Sequence, residues 1–403
     1  MDVGLDRLAA LPSLAAWLRA RRVGLLAHPA SVDRELVHVS SVLAALGVAP
    51  SIVFGPEHGY GGEAQDMIGV ADARDPRTGA PIVSLYGDSF ESLSPTAAQL
   101  SALDVLVIDL ADIGSRYYTF VWTALLAARA AARAGVHTLV LDRPNPLGNA
   151  RVEGALPEAR YLSFVGLEPL PVRHALTLGE LVALFAARDG LPLGADGALS
   201  VLPVTGDLRQ GGRAWDRPFV LPSPNMPTLD TALVYPGGCL LEGTNLSEGR
   251  GTTRPFELVG APFVEGAALS ARLHALGLPG FVARPVTFLP TFHKHAGQVC
   301  GGVQVHVTDP RAFRPYATYL ALVTEAARLA PGEFRFRTER YEFRDDVPAL
   351  DLLTGSGAVR EAIVAGADTR SLVEQASAAP VDYTATLAQA ARAVELAARG
   401  AER

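Results

Sequence analysis

Three glutamates and one histidine stand in sequence surroundings that suit proton-transfer chemistry. Glu57 and His58 lie in Gly55-Pro56-Glu57-His58-Gly59, directly after the apolar run SIVF, and Glu242 and Glu248 flank Asn245 in EGTNLSEGR. A carboxyl group just past a buried strand is disfavoured as an anion, which is what a general acid working near neutral pH requires. The glycines around Glu57 allow close backbone approach, so Glu57 is the first candidate acid. His58, its neighbour, is placed to orient it or to meet a ligand. Glu242, Glu248, Asp109 and Asp112 are the candidates for a second carboxylate acting as base or nucleophile, and the sequence does not choose among them. Arg116, Arg250 and Arg254 add planar guanidinium groups suited to paired hydrogen bonds with a carboxylate; their alternative use is to hold a long loop by pairing with Glu242, Glu248 or Glu257.

Other patterns carry less. Gly59-x-Gly61-x-x-Ala64 formally fits the dinucleotide fingerprint, but that motif needs a helix starting at once after the strand, with an acid about 20 residues on. Gly62, Gly69 and Pro76 interrupt the stretch that follows. His293-x-His295 is spaced like a pair of metal ligands on a strand but has no third ligand close by, so no metal site is expected and His293 reads as part of a polar wall. No G-x-S-x-G elbow occurs, against a serine esterase. Cys239 and Cys300, the chain's 2 cysteines, make neither a disulfide framework nor a four-ligand zinc site and read as buried free thiols.

The elements that must position these groups alternate. VGLLA (23–27), SIVF (51–54), PIVSL (81–85), DVLVIDL (104–110) and HTLVLD (137–142) are short, apolar on both faces and bounded by turn residues, as buried parallel strands are. Helical stretches over 36–46 and 118–134 lie between them, the second followed by Gly135 at the C-cap position. Strands alternating with helices predict an α/β fold, a Rossmann-like parallel sheet with helices on both faces. Functional loops then lie beyond the carboxyl ends of the strands, where the chain runs into GPEHG, ADIGSRY and RPNPLG. Residues 151–221 are harder to read, although Thr177 and Glu180 form a capping box for a helix over 178–187, and LSVLPV (199–204) reads as a strand. Residues 222–257, thick with Pro, Gly, Asn and Thr, read as a long functional loop. Beyond them a smaller α/β lobe is predicted, with a helix over 266–276, a strand over 301–309 and terminal helices near 316–330 and 381–398. The expected division is 1–260 and 261–403, with the active site in the cleft between.

Composition narrows the class. With 49% hydrophobic and 19% charged residues over 403 positions, a large core is available and two lobes are expected. A net charge of −7 and no basic footprint argue against a nucleic-acid binder. No run reaches the roughly 18 apolar residues of a membrane span, and the acidic, Arg-interrupted N-terminus does not read as a secretory signal. The expectation is therefore a cytoplasmic protein without membrane association; oligomeric state is not legible.

Taken together and in order, VGLLAHPASVDRELVH, FGPEHGYGGEAQD, LDVLVIDLADIGSRYYTF, VLDRPNPLG, SFVGLEPLPVRHALTLGEL, EGTNLSEGRGTTRPFE and TFHKHAGQVCGGVQVHV resemble the exo-β-N-acetylmuramidases of the NamZ type over nearly the whole chain. The run His28-Pro29-Ala30 departs from the Thr-Asn-Pro expected there. The resemblance implies a two-lobed exo-acting hydrolase that removes N-acetylmuramic acid from the non-reducing end of peptidoglycan fragments, with a small-molecule saccharide as its partner and no cofactor. It also points to Glu57 as catalytic. Glycoside hydrolysis then needs a proton for the leaving oxygen and stabilisation of charge on the sugar. Asn225, Asn245, Thr252 and Thr253 become candidate sugar contacts, as do Asp109, Asp112, Arg116, Arg250, Arg254 and His293. Tyr117, Tyr118 and Tyr235 could stack on the ring. The competing reading is a non-catalytic muropeptide- or sugar-binding protein; a nucleotide-dependent oxidoreductase is a weaker third.

Overall fold

The computed structural model describes residues 1–62, 73–208 and 215–402. Its larger sheet has β1 (Val23–Ala27), β2 (Ile52–Gly55), β3 (Ala73–Arg74), β4 (Pro81–Ser84), β5 (Val105–Asp109), β6 (His137–Leu141) and β7 (Leu199–Leu202), in the order β3-β4-β2-β1-β5-β6-β7. All neighbours pair in parallel except the two-residue edge strand β3. The alternation within each strand explains why the apolar runs are unbroken. Leu25, Val53, Val105, Val107 and Leu139 pack on one side with the helices Gly4–Ala9, Pro12–Arg19 and Val39–Ala45. Leu26, Phe54, Leu106, Ile108 and Val140 pack on the other with the helices Phe120–Arg133 and Leu178–Arg188. Both faces are therefore buried, as parallel sheets require. Thr177 and Glu180 form the expected capping box.

The order reverses at β1, which sends its chain to β2 on one side and pairs with β5 on the other. That reversal opens a crevice beyond the carboxyl ends of the strands.

A second sheet, antiparallel and in the order β8-β10-β9, joins β8 (Leu258–Ala261), β9 (Phe281–Phe288) and β10 (Cys300–Val307). The helices Gly266–Ala275 and Pro315–Leu329 pack on and beside it. Strand β9 was not expected. It is an edge strand holding Pro285, which such a position tolerates, and only Phe281 and Ala283 of its residues are buried. The chain end crosses back: the helix Tyr383–Ala397 packs on Leu178–Arg188, and the Tyr383 hydroxyl donates to the His174 carbonyl at 2.9 Å.

The segment 222–257 corrects the sequence reading. It holds a helix, Leu229–Gly238, capped by Thr228, and a 3-10 turn over Cys239–Gly243. Pro236, Gly237 and Gly238 argue against helix in sequence. In the fold Gly237 lies so close to the next helix that a Cβ there would sit 2.1 Å from the Pro315 carbonyl oxygen. A tertiary close approach thus demands the residue that local propensity disfavours.

Candidate active site

At the end of β2 the chain turns back sharply over its own strand. A Cβ on Gly55 would lie 2.4 Å from the Tyr60 amide nitrogen, so glycine is needed there. This fold-back directs Glu57 inward, where only 5% of it is exposed, and places His58 at φ +70°. The Thr119 hydroxyl, at the residue preceding the helix Phe120–Arg133, donates to Glu57 Oε2 at 2.8 Å. Two strand-end loops are therefore tied together at the candidate acid.

Glu57 and His58 line a pocket. The loop after β5 contributes Tyr117, Tyr118, Thr119 and Phe120; the middle of the chain contributes Ser223, Asn225, Tyr235, Glu242, Arg250 and Phe256; the second lobe contributes Tyr341 and Glu342. Along one wall the rings of Phe120, Tyr118, Tyr235 and Phe256 succeed one another at centroid spacings of 4.8, 5.7 and 4.9 Å. Burial pushes the Tyr118 and Tyr235 hydroxyls well above their ordinary range, so both stay neutral. An aromatic wall facing buried carboxyl groups is suited to a sugar ring, whose C–H face stacks while its hydroxyls need polar partners.

The second carboxylates separate into distinct environments. Glu242 lines the cavity but is held from two sides: Arg250 Nη2 stands 2.9 Å from Oε1, and the Tyr341 hydroxyl donates to Oε2 at 2.7 Å. Glu248, fully buried, lies within reach of Lys294 Nζ at 3.0 Å, His293 Nδ1 at 2.9 Å and Arg250 Nη1 at 3.4 Å. Burial opposes its charge, but Lys294, His293 and Arg250 outweigh that and hold the carboxyl well below its usual value. Glu248 is thus held as a carboxylate, outside the residues that line the pocket. Lys294, which also donates to the carbonyls of Leu241 and Leu246, locks the surrounding loop to it. Glu248 and His293 are thus placed in one ion-pair cluster outside the residues lining the Glu57 pocket.

Asp109 is also structural. It is fully buried and accepts from Nε and Nη2 along one edge of the Arg143 guanidinium, which joins the ends of β5 and β6. Asp112 lines a different pocket, accepts from the Gly114 amide at 3.0 Å and stands 3.3 Å from His174 Nε2. Arg116 has no exposed surface and donates to the carbonyls of Leu170, Ala155 and Leu353, joining segments distant in the chain. Asn245 bonds the Glu333 carbonyl and the Arg335 amide, both at 2.9 Å. Thr252 closes a turn on the Gly249 carbonyl, and Thr253 is exposed. Arg254 pairs with Glu257 at 3.5 Å. These four lie outside the cavity lining. Of the expected contacts, Tyr117, Tyr118, Asn225, Tyr235 and Arg250 line it. His295 bonds the Asn245 carbonyl at 2.7 Å. The dinucleotide pattern runs beyond Gly62 into residues outside the described ones.

Thr119, Phe256, Tyr341 and Glu342 were not anticipated. Thr119 follows a strand end and precedes a helix, a position that could have marked it. Tyr341 and Glu342 carry no local signal, and only the packing of the second lobe brings them to Glu57.

The family described as "Exo-beta-N-acetylmuramidase NamZ, N-terminal" matches residues 23–230, and its C-terminal counterpart matches residues 233–390. A curated relative, the peptidoglycan beta-N-acetylmuramidase NamZ of Bacillus subtilis (strain 168), is 39% identical over 383 residues, covering 93% of this chain and 86% of the relative. Two crystal structures of DUF1343 family proteins from Bacteroides fragilis NCTC 9343 have the same fold. One has a TM-score of 0.83 at 29% identity, covering 97% of both chains; the other has 0.73 at 25%, covering 98% of both.

Proposed function

The chain belongs to the exo-β-N-acetylmuramidase NamZ family, and from that premise we propose that it is an exo-acting glycoside hydrolase. It releases β-1,4-linked N-acetylmuramic acid from the non-reducing end of peptidoglycan fragments. The observation that carries the reading is the buried Glu57 carboxyl in a cavity walled by aromatic rings, oriented by Thr119. Glu57 donates its proton to the departing glycosidic oxygen, and the aromatic wall holds the sugar so that this oxygen meets the acid. His58 and Asn225 meet the substituents of the sugar, and Glu242 with Arg250 forms the polar floor. In the same reading the larger lobe carries the acid and the smaller lobe closes the cleft.

Among the described residues no helix is long and apolar enough to cross a membrane. The curated relative is named for action on peptidoglycan, which supports a carbohydrate substrate here. The test is release of 4-nitrophenol from its β-N-acetylmuramic acid glycoside, alongside the N-acetylglucosamine glycoside and a Glu57→Gln variant. Turnover of the first compound, lost in the variant, is expected. Binding of N-acetylmuramic acid without turnover would leave a binding protein and overturn the enzyme reading.

A further inference from the structure

Residues 341–344 form a tight turn whose backbone conformation runs against its sequence. The Tyr341 amide donates to the Arg344 carbonyl at 2.8 Å and the Arg344 amide to the Tyr341 carbonyl at 3.0 Å. The two central residues, Glu342 and Phe343, have φ of +46° and +66°. This is the pattern of a type I′ turn, whose central positions are normally filled by Asn and Gly. Two bulky side chains there are strained, and such strain persists only where surroundings over-determine it.

The surroundings are visible for Phe343. Its ring packs against Tyr86, Phe90 and Phe164 of the larger lobe at 5.8, 6.4 and 6.1 Å. With Phe343 anchored in that cluster, the turn directs Glu342 into the lining of the Glu57 cavity, where it is 4% exposed. Two other carboxylates near the site face cations: Glu242 pairs with Arg250 and accepts from the Tyr341 hydroxyl, and Glu248 is enclosed by Lys294, His293 and Arg250.

We propose that Glu342 is the second catalytic carboxylate, the base that takes the proton of the group attacking the anomeric carbon. This rests on the glycosidase reading above and names a partner for Glu57. In the step, the bond from the anomeric carbon to the leaving oxygen breaks and its electron pair departs with that oxygen, which takes the Glu57 proton. A new bond forms from the attacking oxygen to the anomeric carbon, and the attacking group's proton passes to Glu342. The attacking group is either water, losing an O–H proton, or the substrate's own acetamide, whose oxygen bonds to the carbon while its N–H proton is lost. The first inverts the anomeric centre and the second retains it, so proton NMR of the first-formed sugar tells them apart; both require the same base.

The experiment uses 4-nitrophenyl β-N-acetylmuraminide with the wild type, Glu342→Gln and Glu342→Gly. Wild-type turnover reports on the glycosidase reading alone; the ratio of variant to wild type reports on Glu342. We expect kcat to fall roughly 100-fold or more in both variants with little change in KM, and the acidic limb of the pH–rate profile to disappear. Glycine relaxes the turn, so Glu342→Gly keeps or raises the melting temperature while activity is lost. Azide restores its turnover by forming the glycosyl azide. A kcat within about threefold of wild type, a loss confined to KM, or no restoration by azide would overturn the assignment. So would a glycosyl ester trapped on Glu342 itself.

Discussion

Arg250 stands between two buried carboxylates, with Nη2 2.9 Å from Glu242 and Nη1 3.4 Å from Glu248. One planar cation thereby couples a group in the cavity lining to a carboxylate outside it. Removing it takes a cation from both carboxylates, while the Tyr341 hydroxyl still donates to Glu242 and Lys294 and His293 still face Glu248. Breaking a buried pair from one side costs about 3–5 kcal/mol, because a buried charge loses its partner cation. Arg250→Met is expected to lose that much in urea unfolding. Arg250→Lys should recover less than half, since an ammonium is a point charge and cannot span both carboxylates.

Thr119 contacts the proposed acid without capping the helix. Its side chain makes no cap bond to the helix Phe120–Arg133; its hydroxyl serves Glu57. Thr119→Val keeps the shape and removes the donor. The expected outcome is a kcat lower by roughly 10- to 100-fold through misorientation of the acid. KM and melting temperature should change little. A loss of stability equal to the loss of activity would assign Thr119 a packing role instead.

Asp142, at the end of β6, gives a pH dependence of stability. It is fully buried, and burial first, then Glu180, raises its pKa to about 7, against the bonds it accepts from Gly179, Thr177 and Val204. The unfolded chain titrates it near the ordinary value of about 4. Between these values the folded state holds a proton that the unfolded state has lost, so stability falls as pH rises from about 4 to about 7. Melting temperature measured across that window should decline. Asp142→Asn should flatten the decline even if it lowers the absolute stability by losing an acceptor. An unchanged slope would place the titration elsewhere.

Much of this site was legible because local pattern carried it. The apolar runs over 23–27, 51–54, 104–110 and 137–142 could be buried on both faces only in a parallel sheet, and a parallel sheet directs its functional loops to the carboxyl rim. GPEHG at such an end pointed to Glu57 by the same logic. The helix Leu229–Gly238 was hidden because its Pro and Gly residues answer to the neighbouring helix and not to local propensity.

The sequence alone therefore determined the fold class, the family and the position of Glu57, since each rests on short-range pattern or on long contiguous motifs. Only the tertiary structure decided how the other charges are used. Arg116, Asp109, Glu248 and Asn245 look as functional as Glu57 in one dimension, yet each is consumed by partners brought from elsewhere in the chain: the Leu353 carbonyl, Arg143, Lys294 and the Glu333 carbonyl. A charged group's role depends on which neighbours desolvate and neutralise it, and those neighbours are set by packing between distant segments. Glu342 is the converse, a residue without a motif that a strained turn and an aromatic anchor carry into the cavity.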